Sequence, residues 1–194
     1  MARPQFTSPD FLEAARALAC EHGPAAVTVG AVIERLGAPA GSFYYRFASR
    51  DLLLGELWLK TVLAFQEGFM AAIKAGDGLA AALHTPAWAR ENLDDACLLL
   101  LYRRSDFVHG DWPETLRSGV ISQEKSFKTA VTQFAQTTLG SDCPNTLRRV
   151  RFALVEVPLA AVRMHLECRE APPPIADELI RQTYEAVITG RPEQ

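Results

Sequence analysis

Residues 28–53, TVGAVIERLGAPAGSFYYRFASRDLL, leave the chain few options. Val29, Val32, Ile33 and Leu36 recur at helical spacing, and Thr28 ahead of them has a hydroxyl able to accept from a first-turn N–H that no helical carbonyl reaches. Gly37 stops that helix, because a residue without Cβ takes the left-handed conformation readily, and Pro39 suits the start of the next one. The second helix, about two turns long, turns Phe43 inward. Around it stand Ser42, Tyr44, Tyr45 and Arg46, followed by Ser49 and Arg50. Hydroxyls, phenols and guanidinium groups crowded on a short exposed helix are what phosphate contact and groove entry require. The segment therefore reads as a DNA-reading helix-turn-helix.

Two short helices cannot bury their inner faces alone, and the chain supplies a third ahead of them. Ser8 as cap, Pro9 in the first turn and Asp10 against the dipole open a helix. Its apolar stripe is Phe11, Ala14, Ala15, Leu18 and Ala19, and His22-Gly23-Pro24 ends it. Residues 1–7, with Arg3, form a short arm. After the helix-turn-helix, Ser49 caps a helix that runs to about residue 75 and buries Leu53, Leu57, Val62, Phe65 and Phe69. At about 1.5 Å per residue it spans roughly 35 Å, enough to leave the first three helices and join a second body.

From residue 79 onward only helical periodicity is present. The expected helices are 79–92, bent or broken near Pro86; 94–104; 111–138, opened by the capping-box spacing of Asp111-Trp112-Pro113-Glu114; 145–169, interrupted by Pro158; and 175–188. The expected fold is all-α: nine helices, three in a helix-turn-helix domain over 1–50 and six in an effector-binding and dimerisation domain over 51–194.

Composition narrows the function. A hydrophobic content of 48% is ample for a core, and a formal charge of -3 argues against a chain that coats nucleic acid over its whole surface. The first fifty residues nevertheless carry Arg3, Arg16, Arg35, Arg46 and Arg50 against Asp10, Glu13, Glu21 and Glu34, a local balance near +1. Cys20, Cys97, Cys143 and Cys168 are scattered without a C-x-x-C pair, so neither a zinc site nor a disulfide framework is expected, only reduced and mostly buried thiols. His22, His84, His109 and His165 show no H-x-x-x-H pattern, and metal binding is not expected. With no nucleophile elbow and no phosphate-cradling glycine loop, neither an enzyme nor a cofactor is expected. No run approaches the roughly twenty apolar residues of a membrane span, so a cytoplasmic protein is expected.

The residues Thr28-Val29, Gly37-Ala38, Gly41-Ser42-Phe43-Tyr44-Tyr45-Arg46-Phe47 and Ser49-Arg50-Asp51-Leu52-Leu53 resemble the recognition-helix pattern and following junction of the TetR family of bacterial transcriptional regulators. The resemblance covers about a quarter of the chain. It implies an all-helical homodimer that binds double-stranded DNA, with a small-molecule effector held in the C-terminal domain. It also implies phosphate contacts from Thr28, Tyr45 and Arg50, with Ala40, Ser42, Tyr44 and Arg46 completing the DNA-facing set. Two departures from the family stand out: Ile33 where a small residue is usual, and Pro39-Ala40 where a polar residue and often a lysine are usual. The second reduces base readout by long side chains, leaving methyl contact, hydroxyl bonds and DNA shape.

Trp58, Phe65, Trp88, Tyr102, Trp112 and Phe127 form an aromatic set that can line an effector pocket. Glu156, inside an apolar run, is expected either to pair with Arg103, Arg104 or Arg163 or to meet a polar group of the ligand. The last two helices are the dimerisation candidates, through Ala160-Ala161 and through Ile175, Leu179, Tyr184, Val187 and Ile188. A two-fold dimer requires a pseudo-palindromic operator. The function expected is thus a ligand-responsive repressor. The competing expectation is a helical effector-binding or protein-interaction module with a vestigial helix-turn-helix.

Overall fold

The computed structural model describes residues 6–107 and 114–190, apart from the side chain of Thr115. Arg3, His109 and the Asp111-Trp112-Pro113 part of the expected capping box lie outside the described residues. α1 (Ser8–His22), α2 (Val29–Leu36) and α3 (Ala40–Tyr44) form the reading head, and α4 (Arg50–Lys74) leads out of it. The body follows as α5 (Gly78–Glu91), α6 (Leu93–Leu101), α7 (Arg104–Phe107) and α8 (Glu114–Leu139). It closes with α9 (Pro144–Arg151), α10 (Val157–Glu167) and α11 (Ile175–Tyr184). A π turn, Phe152–Glu156, joins α9 to α10 as one rod, and another, Glu185–Thr189, extends α11. The architecture is all-α, and among the described residues no helix is long and apolar enough to cross a membrane.

Local chemistry accounts for most of these bounds. α1 is capped by Thr7, one residue ahead of the expected Ser8, because Asp10 stands three residues from Thr7 and its carboxylate accepts from both the N–H and the hydroxyl of Thr7 at 2.7 Å. Those bonds hold the Asp10 carboxyl below its ordinary range. α5 continues through Pro86, whose ring is buried, rather than breaking there. Pro158 likewise does not interrupt its helix. The Val157 N–H bonds the Phe152 carbonyl five residues back, and this widened turn passes the chain into α10 just ahead of the proline that lacks an amide donor. α7, a single turn, was not foreseen.

Three buried clusters hold the molecule together. In the first, Phe11, Phe43 and Phe47 pack pairwise with centroids 5.7, 5.8 and 6.2 Å apart. Leu53, Leu54 and Leu57 of α4 join them, as do Leu98 of α6 and Phe107 of α7. Residues of α1, α2 and α3 therefore share one core with residues of α4, α6 and α7. The second cluster gathers Phe69, Phe134, Val150, Leu154 and Ile180, and the third Trp88, Cys97, Val162 and Leu166. Cys97 is buried and Cys20 partly so, but Cys143 and Cys168 are exposed, against the expectation of mostly buried thiols.

Candidate nucleic-acid interface

The turn between α2 and α3 is built as its residues require. Thr28 caps α2 with extended backbone (φ -103°, ψ 158°), and its Oγ1 accepts from the Ala31 N–H at 3.1 Å. The hydroxyl proton remains available to an outside acceptor such as a phosphate oxygen. Gly37 takes the left-handed conformation (φ 62°, ψ 30°), and the Ala38 N–H bonds the Ile33 carbonyl at 2.9 Å, closing the helix end. Thr28→Ala is expected to lower stability by about 1 kcal/mol, and Thr28→Ser to restore most of it. Thermal melting of the three proteins checks this.

α3 places Phe43 fully in the core and turns Ala40, Tyr44 and Tyr45 outward. Tyr45 is 85% exposed and Tyr44 59%. The Ser42 hydroxyl donates to the Pro39 carbonyl at 2.6 Å and so offers its lone pairs to whatever approaches. Arg46 donates to the Ser42 carbonyl at 3.3 Å, and its guanidinium carbon lies 5.5 Å from the centroid of the Tyr45 ring.

The cations of this head are not equivalent. Arg16 pairs with Glu13 at 2.6 Å, and Arg35 forks onto Glu21 at 2.6 and 2.8 Å, tying α2 to α1. Arg50 donates through Nε to the Val27 carbonyl and through Nη2 to the Pro24 carbonyl at 2.8 Å, and it lies 3.3 Å from Asp51. Its guanidinium thus clasps the start of α4 to the loop that precedes α2, and most of its donors are committed there. Arg46 is the described cation of residues 6–50 with no carboxylate within 4.0 Å among the described residues. Sequence reasoning ranked Arg50 above Arg46. The acceptors that Arg50 meets are backbone carbonyls, which carry no sequence signal.

Of the aromatic residues expected around an effector, Phe65, Trp88 and Phe127 are joined through Phe69, apart from Trp58 and Tyr102. Trp58 and Tyr102 belong to the first cluster, where Tyr102 meets Phe107 edge-on at 6.3 Å. Phe65 meets Trp88 edge-on at 5.2 Å in the third, and Phe127 stacks on Phe69 at 5.5 Å in the second. The gap bounded by Trp58, Thr61, Leu98, Leu99 and Phe107 does not admit a water-sized sphere. Trp112 lies outside the described residues. Glu156 is exposed and forms no ion pair with Arg103, Arg104 or Arg163; Arg104 pairs instead with Glu124 and Arg163 with Glu167. The described set therefore falls into two packed groups, Trp58 and Tyr102 in the first cluster and Phe65, Trp88 and Phe127 joined through Phe69, with an exposed carboxylate at Glu156. Among the described residues no group of three His, Cys, Asp or Glu is placed to hold a metal.

The chain thus carries a three-helix head with a tight α2–α3 turn, an exposed Tyr45 beside the half-buried Arg46 and a Thr28-capped α2 N-terminus, a helix-turn-helix arrangement on a helical body. Residues 11–57 match the model of the family described as bacterial regulatory proteins, tetR family. The fold is similar, with a TM-score of 0.64, to the crystal structure of a candidate tetR family transcription regulator from Shewanella sp. PV-4. That likeness has 18% identity and covers 94% of this chain and 96% of the other. No curated protein matches the chain. The chain shares that fold, and residues 11–57 form an N-terminal DNA-binding domain of the kind this family model describes.

Proposed function

We propose that the protein is a ligand-responsive transcriptional repressor that binds a pseudo-palindromic operator as a homodimer. The observation that carries this reading is the polar set on the outer face of the head: the Thr28 hydroxyl proton, the exposed Tyr45, and Arg46, which no described carboxylate approaches within 4.0 Å. Phosphate contacts from these groups set the register of α3 in the major groove, and Ala40, Ser42 and Tyr44 face the bases. Pro39 and Ala40 keep the front of α3 short and apolar, so DNA shape supplies much of the preference.

Dimerisation is supported by the outer faces of the last helices. Phe152, Ala160 and Met164 recur along the α9–α10 rod on its exposed side, and Ile175 and Leu179 along α11. Tyr184 and Ile188, expected on the same surface, are buried in the second cluster, which leaves Ile175 and Leu179 as the apolar groups of α11 that a partner copy would cover. Glu156 shares the exposed stripe of Phe152 and Ala160. Ligand response needs a coupling of only about 1–3 kcal/mol between effector and operator.

Selection of bound fragments from random DNA tests the reading. Enrichment of one palindrome, with half-sites about one helical turn apart or somewhat more, is the expected result. Absence of binding at every salt concentration would replace the repressor with a helical interaction module. Tyr45→Phe removes a hydroxyl from an exposed ring without touching the core. It is expected to weaken operator binding by roughly tenfold or less, a typical range for one hydrogen bond, with an unchanged melting temperature.

A further inference from the structure

One space for a ligand lies apart from the packed aromatic residues. A crevice of about 600 Å³ opens between α1, α4 and the α5–α6 junction, where the reading head meets the body. That volume is within the range of small-molecule sites. Leu12, Leu57 and Leu93 contribute apolar walls from the three elements.

The charges around it do not balance. Arg16 is held by Glu13 through two hydrogen bonds of 2.9 and 2.6 Å, and Asp94 by Arg169 at 2.8 Å, so those pairs neutralise themselves. Asp95 is held more loosely. It forms an ion pair with Arg16 at 3.8 Å with no hydrogen bond between them, although the Asp95 side chain is only 29% exposed. Burial pushes its carboxyl above the ordinary range, with Arg16 and Lys60 only partly opposing the shift. Glu91 and the exposed Lys60 complete the rim, leaving an excess of one negative charge once the internal pairs are removed.

We infer that this crevice is the effector site and that it takes an organic cation, an amidinium, guanidinium or ammonium on a compact apolar body, with the charge on Asp95 and the body against Leu12, Leu57 and Leu93. The inference rests on the ligand-responsive reading above. The site is placed to act on the reading head. Asp94, adjacent to Asp95, lies 3.6 Å from Arg16 of α1 and is bonded to Arg169 beyond α10, and Arg169 also donates to the Cys20 carbonyl at the end of α1. A cation seated at Asp95 enters the field that holds Arg16, and through it the position of α1 against the body.

Benzamidine is the probe, with benzamide as its neutral isostere, and calorimetry on the full chain without DNA is the measurement. A fragment of this size bound by charge and one apolar wall is expected at a Kd on the order of 1 mM or tighter. Benzamide is expected at least about tenfold weaker, the factor that 1.4 kcal/mol of charge interaction represents. Asp95→Asn should cost benzamidine a similar factor. Ala64→Trp, at an exposed α4 position on the crevice wall, should block the site without touching a core residue, and both variants should retain the wild-type melting temperature. Equal binding of the two probes, no binding at about ten times the expected Kd, or benzamidine binding unchanged in both variants overturns the inference. Because these titrations contain no DNA, a protein that binds benzamidine through Asp95 but selects no operator keeps the site and loses the repressor function.

Discussion

Arg50→Ala is expected to lower the melting temperature and the operator affinity together while leaving the salt dependence of DNA binding nearly unchanged. Arg46→Ala is expected to do the reverse. The Arg50 guanidinium gives charge-assisted hydrogen bonds to the carbonyls of Val27 and Pro24, both residues buried, and its removal leaves those carbonyls without the donor. Each such bond contributes about 1.5–3 kcal/mol, and with the partial exposure of this side chain a total loss of about 3 kcal/mol is reasonable. In a domain of this size that corresponds to a fall of about 6–12 °C. The loss also frees the loop ahead of α2 from the start of α4, so Thr28 and α3 are no longer held at a fixed offset from the long helix that carries any signal from the body. A fall of about tenfold or more in operator affinity follows. Arg46 has no such internal task. Its loss should cost one phosphate contact, reduce the slope of log K against log salt by about 0.9, and leave folding intact. Thermal melts and binding titrations at several salt concentrations read both quantities. If Arg50→Ala flattens the slope by that amount with an unchanged melting temperature, Arg50 is a phosphate contact and the clasp is incidental.

The reading head was legible because its signals are local. A cap, a left-handed glycine and an apolar spacing specify α2 and its turn within a dozen residues, and the structure places Thr28, Gly37 and Phe43 as those signals require. Arg50 shows where such reasoning stops: its acceptors are main-chain atoms more than twenty residues away, and any sequence would present the same carbonyls. The aromatic residues of the body were legible only in part. Periodicity states that Trp58, Phe65, Trp88, Tyr102 and Phe127 tend inward, but not which helix they meet: Trp58 and Tyr102 pack in the first cluster, and Phe65, Trp88 and Phe127 are joined through Phe69. Asp95, by contrast, carries no signal of its own in the sequence. Its loose pairing became visible once Arg16 was seen to be hydrogen-bonded to Glu13. Glu156 was misjudged because an apolar run looks the same whether the chain buries it in its own core or leaves it outward.

That outward stripe leads to the other large expected effect. Leu179→Glu should convert the protein from dimer to monomer at micromolar concentration. In the isolated chain Leu179 is 52% exposed, so the substitution disturbs no core contact of the protomer. At a two-fold interface each copy meets the change, so two carboxylates enter one apolar contact. Burying each without a partner costs several kcal/mol, and even about 3 kcal/mol in total raises the dimer Kd by more than a hundredfold. Operator binding should fall with it, because a single head reads a single half-site. Leu63→Glu is the matching control: Leu63 is 50% exposed on α4, in a groove it shares with Gly119 and Ser122 of α8, and its substitution should leave the oligomeric state unchanged. Sedimentation velocity on the three proteins decides between the surfaces. Dissociation by Leu63→Glu with a dimeric Leu179→Glu would move the interface to the α4 side, and a wild-type monomer would remove the dimer and with it the palindromic operator.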